Sequence, residues 1–241
     1  MTMHSIFFRL GLPVIDLYEN LMFDIDIRRE KPLPVGPKIL ASNHPTTTDP
    51  FLILEIAPEP VRILIEERLF QVPLFGTYLR LAGHIPVLQG NGRAAYDTAL
   101  RTLRGRKSVA LYPEGAISPR EGGIHRPRTG AARLALESGA PIVPIGVALD
   151  RSRIRLIETK VKNEPALGTW YFTGPYAITV GSPLVFRGNV EDRELVDSIS
   201  KEIMERIAIL EKESRLRLDA RKSAKRSGAG LRTVIGEVIY E

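Results

Sequence analysis

The chain has 241 residues, 44% of them hydrophobic and 26% charged, a composition typical of a globular protein with one large core or two small ones. It contains no cysteine, which excludes a disulfide framework, a thiolate nucleophile and any cysteine-ligated metal site. The net charge is +6, and most of the excess falls between Arg215 and Arg226, where six basic residues accompany one acidic residue. Such a segment is most often solvated, although it could also bind anionic lipid headgroups or nucleic acid.

The first predicted element lies between Ile6 and Phe23, where large apolar residues recur at helical spacing around Pro13. We interpret it as one or two short helices that either pack on the domain or rest on a membrane surface. A secretory signal is not expected, because no basic residue precedes the apolar run. The predicted division is an N-terminal apolar helical segment (residues 1–30), an α/β domain (31–214) and a basic C-terminal tail (215–241).

Strand-like and helix-like runs alternate after a stiff, proline-rich connector at Lys31–Pro37. This pattern predicts an α/β fold with a largely parallel central sheet flanked by helices. The predicted strands are Lys38–Ser42, Val61–Ile65, His84–Leu88, Ser108–Tyr112, Ile142–Ala148 and Tyr176–Val180. The predicted helices are Pro50–Ala57, Pro73–Leu81, Arg93–Leu103, Ala131–Ser138 and Asp192–Arg217. A charge-free stretch, Pro165 to Phe186, contains three prolines and three glycines and is not predicted to span a membrane.

A polar turn from Ser42 to Pro50 follows the first of these strands, at a strand-to-helix junction of the kind where α/β proteins bind ligands. A tight turn would fold the Asp49 carboxylate onto one imidazole nitrogen of His44. That contact would fix the tautomer and leave the other nitrogen free as a general base. The same residues are also compatible with a structural turn in which Asp49 caps the helix.

A second turn, from Leu111 to Ser118, also follows a hydrophobic strand. Glu114 would project at the edge of the sheet, and Gly115 would permit a close approach that a Cβ forbids. A carboxylate there can accept hydrogen bonds from substrate hydroxyls, although Pro-Glu-Gly by itself is more often an ordinary turn.

Two arginines, Arg126 and Arg128, precede a predicted helix that starts at Thr129 or Gly130. A helix N-terminus beside two guanidinium groups can form an anion site. The alternative is a surface helix with two solvated arginines.

These blocks, taken in order, resemble the glycerolipid acyltransferase family of 1-acylglycerol-3-phosphate acyltransferase-like proteins. The Asn-His-x4-Asp motif of that family matches Asn43, His44 and Asp49, and its Phe-Pro-Glu-Gly motif matches Tyr112 to Gly115. Two further motifs correspond to Gly83–Val87 and Ala140–Ile145. The resemblance covers roughly residues 38 to 150.

The resemblance implies an enzyme that moves a fatty acyl group from acyl-CoA or acyl carrier protein to the hydroxyl of a lysophosphatidate-like lipid. His44 would be the general base and Asp49 would orient it, while Asn43, Glu114 and Gly115 would bind substrate. The resemblance implies no metal and no cofactor other than the thioester co-substrate. It further implies a cytoplasmic protein that associates peripherally with the inner face of the membrane.

Two positions depart from the family pattern. Gln89 and Ile117 stand where family members carry arginines linked to the acceptor phosphate. Arg93, Arg126 and Arg128 could replace them, with the phosphate retained as part of the acceptor. Otherwise the protein is a family member that acts on a hydroxyl without a phosphate.

The sequence is also compatible in part with two other classes of function. The run Gly90-Asn-Gly92, with Ala95 after it, satisfies G-x-G-x-x-A between a strand and a helix, as in dinucleotide-dependent oxidoreductases. That interpretation leaves His44, Asp49 and Glu114 without a role. Nucleic-acid binding by the basic tail lacks a supporting aromatic or helix-turn-helix pattern and is not expected.

Overall fold

The computed structural model of the protein describes residues 17–237, apart from residues 55, 58, 89, 162 and 163, together with residues 11, 13 and 15. The strands are β1 (Phe23–Arg29), β2 (Ile39–Ser42), β3 (Val61–Glu66), β4 (Ile85–Val87), β5 (Ser108–Leu111), β6 (Ile142–Leu149), β7 (Arg155–Val161), β8 (Glu164–Trp170) and β9 (Gly174–Val180). The helices are α1 (residues 17–22), α2 (Asp49–Leu54), α3 (Phe75–Ala82), α4 (Arg93–Arg104), α5 (Gly130–Ser138) and α6 (Arg193–Glu237).

Seven strands form the central sheet in the order β1-β9-β6-β2-β5-β3-β4. Every neighbouring pair in this sheet is parallel except β6 and β9. The remaining two strands, β7 and β8, form a separate antiparallel hairpin. The predicted α/β fold with a largely parallel sheet is therefore confirmed.

Helices cover both faces of the sheet, which explains why β2, β5 and β6 are buried at every position. One core layer contains Ile15 with residues of α2 and α3, and the other contains residues of α4, α5 and α6. Among the described residues, no helix is both long enough and apolar enough to cross a bilayer.

Two regions differ from the sequence prediction. Phe23, predicted as the end of a helix, begins strand β1, in which Phe23, Ile25 and Ile27 alternate with charged residues. Asp24 and Asp26 on this strand pair with Arg221 and Arg217 on α6. The β7–β8 hairpin was also not predicted, because its strands lie outside the central sheet and carry little apolar alternation.

The basic segment after residue 214 is helical, since α6 continues without a break from Arg193 to Glu237. Among its described side chains, four cations have acidic partners. The pairs are Arg215–Glu211, Arg217–Asp26, Arg221–Asp24 and Lys222–Asp150. The interpretation of this segment as a solvated tail is therefore wrong for residues 215–222, which are joined to the folded domain by ion pairs.

Three parallel strands end at the same edge of the sheet: β2 at Ser42, β5 at Leu111 and β6 at Leu149. Because the carboxyl ends of parallel strands meet at one edge, the turns after them come together in space. His44, Glu114 and Arg151 belong to these turns.

Candidate active site

The turn between β2 and α2 brings His44 and Asp49 into contact, as the sequence predicts. His44 Nδ1 lies 3.0 Å from Asp49 Oδ2, and the imidazole side chain keeps 17% of its surface exposed. A carboxylate only accepts hydrogen bonds, so in the neutral imidazole this contact places the proton on Nδ1 and the lone pair on Nε2. An imidazole held in this way by a buried carboxylate can serve as a general base.

Asp49 is held in place by Thr46, three residues earlier in the chain. Asp49 Oδ2 accepts from the Thr46 main-chain N–H at 2.7 Å, and Oδ1 accepts from the Thr46 hydroxyl at 2.6 Å. The Tyr176 hydroxyl lies 3.4 Å from Oδ1. These donors satisfy a carboxylate that is only 1% exposed, which sets the position of the group that contacts His44.

Tyr112 forms one wall of the histidine site. Its ring stacks on the His44 imidazole with 3.8 Å between centroids and 13° between planes. Burial, followed by the charge of Asp49, raises the pKa of Tyr112 well above its ordinary value of 10. The hydroxyl is buried and, among the described residues, has no hydrogen-bond partner.

Glu114 joins the two turns of the site. Its Oε1 accepts from the His44 main-chain N–H at 3.0 Å and from the Ser118 hydroxyl at 2.5 Å, while Oε2 accepts from the His125 main-chain N–H at 2.8 Å. The Ser118 N–H donates in turn to the His44 carbonyl at 2.7 Å. Glu114 is 3% exposed, and its hydrogen bonds hold the main chain of His44 in place.

Asn43 extends the pairing between β2 and β6 beyond the end of β2. Its side-chain amide donates to the Val147 carbonyl at 2.9 Å and accepts from the Val147 N–H at 2.8 Å. Both polar groups of this 1% exposed amide are thereby occupied by main chain. Asn43 fixes where the chain leaves the sheet just before His44.

Arg128 lies directly over the second turn. The Arg128 N–H donates to the Pro113 carbonyl at 2.8 Å, and a Cβ built on Gly115 would come within 2.3 Å of Arg128 Nε. Gly115 also has φ +65°, a region that favours glycine. Gly115 therefore makes room for an exposed guanidinium beside Glu114, whereas Arg126 is exposed in the loop before it.

The other predicted cation, Arg93, is engaged on its own helix. Arg93 Nε lies 3.1 Å from Asp97, and the guanidinium sits 5.9 Å from the centre of the Tyr96 ring. The nearby Gly90–Gly92 turn joins β4 to α4, as predicted. A Cβ on either glycine would meet no atom within 4 Å, so no close approach of described atoms requires glycine in this turn. Gln89 lies outside the described residues, and the carbonyl oxygen of Ile117 lies 3.1 Å from His125 Nε2.

Arg151 is a residue of this edge that sequence reasoning missed. It follows β6, and its Nη1 donates to the carbonyls of Pro119 and Arg120 at 2.8 and 3.1 Å. The pKa of Arg151 is lowered, mainly by burial and then by the charge of Arg215. The carboxylates of Glu211, Asp49 and Glu114 oppose this lowering without cancelling it. Thr46 and Tyr176 were missed as well, although a threonine three residues before an aspartate is a recognisable capping pattern.

Comparison with known proteins places these residues in a family. Residues 24–148 match the family described as Acyltransferase. The chain is similar to 1-acyl-sn-glycerol-3-phosphate acyltransferases of Escherichia coli, at 27% identity over 142 residues (56% of this chain, 58% of that protein), and of Limnanthes douglasii, at 31% identity over 142 residues (54% and 50%). The chain thus spans little more than half the length of these relatives.

A solved structure has the same fold. The 1-acyl-sn-glycerophosphate (LPA) acyltransferase from Thermotoga maritima superimposes with a TM-score of 0.60 at 20% identity, over 83% of this chain and 78% of that chain. His44, Asp49, Tyr112 and Glu114 all fall inside the stretch that the family match covers. Since that stretch is more than half of the chain, the protein belongs to the acyltransferase family.

Proposed function

We propose that the protein transfers a fatty acyl group from a thioester, acyl-CoA or acyl carrier protein, to the hydroxyl of a lysophosphatidate-like glycerolipid. The observation that carries this proposal is the His44–Asp49 pair, with 3.0 Å between Nδ1 and Oδ2, at the carboxyl edge of the sheet. The relatives named as 1-acyl-sn-glycerol-3-phosphate acyltransferases support the choice of acceptor.

In this reaction His44 Nε2 removes the proton from the acceptor hydroxyl while the hydroxyl oxygen attacks the thioester carbonyl carbon. The imidazolium that results is stabilised by the Asp49 carboxylate at Nδ1. The tetrahedral intermediate then expels the thiolate, which takes the proton from His44. The ester is formed, the free thiol leaves, and His44 returns to its neutral state.

The acceptor phosphate requires a cation near His44, and Arg128 fits best. It lies over Gly115 next to Glu114, it is exposed, and it has no acidic partner among the described residues. A guanidinium can bind two phosphate oxygens at once. Arg93 is a weaker candidate because Asp97 already neutralises it.

Apolar side chains adjoin the catalytic turn on one side, which suits an acyl chain. Pro50 and Phe51 of α2 and Trp170 of β8 line a small cavity of about 40 Å³ together with Phe75 of α3. The cavity also contacts Thr47, which lies inside the turn. A thioester carbonyl at His44 would leave the first part of its hydrocarbon chain beside this apolar wall, because the cavity is too small to hold the whole chain.

A membrane surface is the natural source of the acceptor, and the proposal includes docking through α1. Leu17, Leu21 and Met22 of this helix are exposed large apolar residues, as is Phe172, whose carbonyl accepts from the Tyr18 hydroxyl at 3.2 Å. Deleting residues 1–30 would remove strand β1, so the better test is the pair Leu17→Glu and Leu21→Glu. Loss of flotation with anionic liposomes, with an unchanged melting temperature, is expected. Equal flotation would refute docking through α1.

The catalytic proposal is tested by thiol release from acyl-CoA in the presence of lysophosphatidate. His44→Ala removes the base and should lower kcat by about 10²- to 10⁴-fold, with the circular dichroism spectrum unchanged. Asp49→Asn should also lower kcat strongly, because the amide no longer stabilises the imidazolium. Lys212→Gln, an exposed substitution on α6, is the control. Near-normal turnover of His44→Ala would refute the mechanism.

The acceptor is tested separately with matched phosphorylated and unphosphorylated lipids. Arg128→Ala should raise KM for lysophosphatidate by about tenfold or more, since a charge-assisted hydrogen bond is worth about 1.5–3 kcal/mol. The KM for acyl-CoA should stay unchanged, and Arg93→Ala should change neither constant. Equal use of unphosphorylated acceptors, with no effect of Arg128→Ala, would instead identify a family member that acts on a hydroxyl without a phosphate.

A further inference from the structure

A second cavity lies at the opposite edge of the sheet from His44. It has a volume of about 460 Å³, and its walls include Lys38, Val61 and Ser108, at or just before the first residues of β2, β3 and β5. Because β2 has four residues, its length separates this cavity from the catalytic turn by about 13 Å. The cavity is therefore distinct from the acyl-transfer site.

Positive charge dominates the lining of this cavity. Lys38, Arg62, Arg106 and Lys107 are among the lining residues, and Glu59 is the single acidic residue among those that the structure describes there. Lys38 is only 2% exposed and forms an ion pair with Glu59, whose Oε1 also accepts from the Ser108 hydroxyl at 3.1 Å. Glu59 therefore neutralises Lys38, and the positive charges of Arg62, Arg106 and Lys107 remain.

These three cations have no anionic partner among the residues that the structure describes. Arg62 is half-buried on β3, and burial lowers its pKa because a guanidinium loses hydration there without gaining a counter-charge. Its charge reaches His84, whose pKa it helps to lower. An anion in the cavity would compensate for the lost hydration of Arg62.

Arg106 occupies a position where glycine is usual. At the end of α4 the Arg106 N–H donates to the Leu103 carbonyl at 2.9 Å and the Lys107 N–H to the Thr102 carbonyl at 3.1 Å, the pattern of a Schellman ending. The φ of Arg106 is +59°, which disfavours any residue with a Cβ. The chain thus keeps a cation beside the cavity at a site that local backbone energetics would give to glycine.

Another part of the cavity lining is apolar and stiff. It is formed by Leu33, Pro34 and Val35 of the proline-rich connector between β1 and β2. The Val35 side chain is fully exposed, so this wall is accessible to a ligand. A ligand that fits would have an anionic group for the three cations and an organic part for the connector.

We propose that this cavity is a second binding site, which takes a phosphate monoester whose organic part packs against the connector. Two guanidinium groups and an ammonium group match a dianionic phosphate, since arginine can contact two phosphate oxygens at once. The proposal is independent of the acyl-transfer chemistry, because it concerns residues at the other end of β2 and β5.

The test is isothermal titration of the full chain with inorganic phosphate, glycerol 3-phosphate, 3′-AMP and a lysophosphatidate with a six-carbon chain. Arg62→Gln removes the half-buried cation, and Arg106→Gly removes the second one while giving the backbone its favoured residue. Arg101→Gln, an exposed substitution on α4 away from the cavity, controls for net charge.

Saturable binding of an ester is expected, with affinity lowered about tenfold or more in Arg62→Gln and Arg106→Gly and within about twofold of wild type in Arg101→Gln. The melting temperature of Arg106→Gly should not fall, which separates lost binding from lost folding. Tighter binding of the lysophosphatidate would identify a lipid ligand, and tighter binding of 3′-AMP a nucleotide.

Three outcomes would overturn the proposal. They are the absence of saturable binding, equal affinity for inorganic phosphate and every ester, and binding that Arg128→Ala abolishes but Arg62→Gln leaves intact. The last would place the phosphate at the acyl-transfer site. His44→Ala should keep the binding, so failure of the catalytic proposal and failure of this one are distinguishable.

Discussion

The His44 main-chain N–H donates to Glu114 Oε1 over 3.0 Å, so a carboxylate from one turn holds the backbone of the histidine on the other. The sequence suggests Glu114 as a ligand of substrate hydroxyls. The two roles differ in what a substitution would change, because a positioning carboxylate acts through His44 whereas a ligand acts through the affinity for the acceptor.

Glu114→Gln tests this difference. The amide places a donor where either the His44 or the His125 N–H now donates, so we expect the free energy of unfolding to fall by about 1–3 kcal/mol. We expect kcat to fall with it, while KM for the acceptor changes little. Urea unfolding and steady-state kinetics give the three quantities, with the exposed Glu121→Gln as the control. A raised KM at unchanged stability would favour the ligand role.

Tyr112→Phe should stabilise the protein. The Tyr112 hydroxyl is buried without a hydrogen-bond partner among the described residues, and such a group costs about 1–3 kcal/mol. Phenylalanine keeps the ring that stacks on His44, so turnover should stay near wild type. Tyr176→Phe is the matched comparison, because its hydroxyl lies 3.4 Å from Asp49 and its loss should not stabilise. A destabilised Tyr112→Phe would show that the hydroxyl has a partner.

His84 should make stability depend on pH. Burial, aided by the charge of Arg62, lowers its pKa from 6.5 to about 4, while Nδ1 accepts from the Ile63 N–H at 3.1 Å. A lowered pKa in the folded state means that the unfolded chain binds the proton first as the pH falls. Stability is therefore full above pH 6.5 and declines toward pH 4, by about 2 kcal/mol between pH 7.5 and pH 5.

The measurement for His84 is urea unfolding at about pH 7.5, 6.5, 5.5 and 5.0. His84→Gln retains an acceptor for the Ile63 N–H and cannot be protonated, so its stability should vary less over this range. If the wild type and His84→Gln lose stability in parallel, the histidine does not cause the pH dependence.

Arg217→Gln tests the attachment of α6 to the first strand. Arg217 Nε donates to Asp26 Oδ2 at 2.9 Å, and its other nitrogens donate to the Thr179 hydroxyl at 2.7 Å and the Ile178 carbonyl at 2.9 Å. We expect the free energy of unfolding to fall by about 2 kcal/mol, since bonds with a charged partner are lost. The exposed Lys212→Gln on the same helix should change it by less than about 0.5 kcal/mol. Equal effects would mean that the Arg217 contacts contribute little.

Buried hydrophobic runs made the central sheet predictable. Ile39–Ser42, Ser108–Leu111 and Ile142–Leu149 are buried at every position, and such runs between turn residues are visible in sequence. The His44–Asp49 contact was also predictable, because both residues lie in one short turn. The turn after the strand that ends at Leu111 likewise predicted Glu114 and Gly115 at the same edge.

The rest depends on contacts between distant segments. Strand β1 alternates charged and apolar residues, and its aspartates are stabilised by arginines about 190 residues later, as the Asp26–Arg217 pair shows. The role of Glu114 depends on main-chain donors from His44 and His125, which no spacing rule supplies. Arg151 reaches the site only because β6 lies beside β2.

The union of the first strand with the last helix has a consequence for the order of folding. Phe23 pairs with Gly174, and Asp24 with Arg221, so β1 finds its partners only after most of the chain has been made. Pairings this distant in sequence form slowly because a long loop must close first. During synthesis β2, β3 and β5 can associate before the partners of β1 exist. Strand β1 then adds to β9 as the last strand of the sheet.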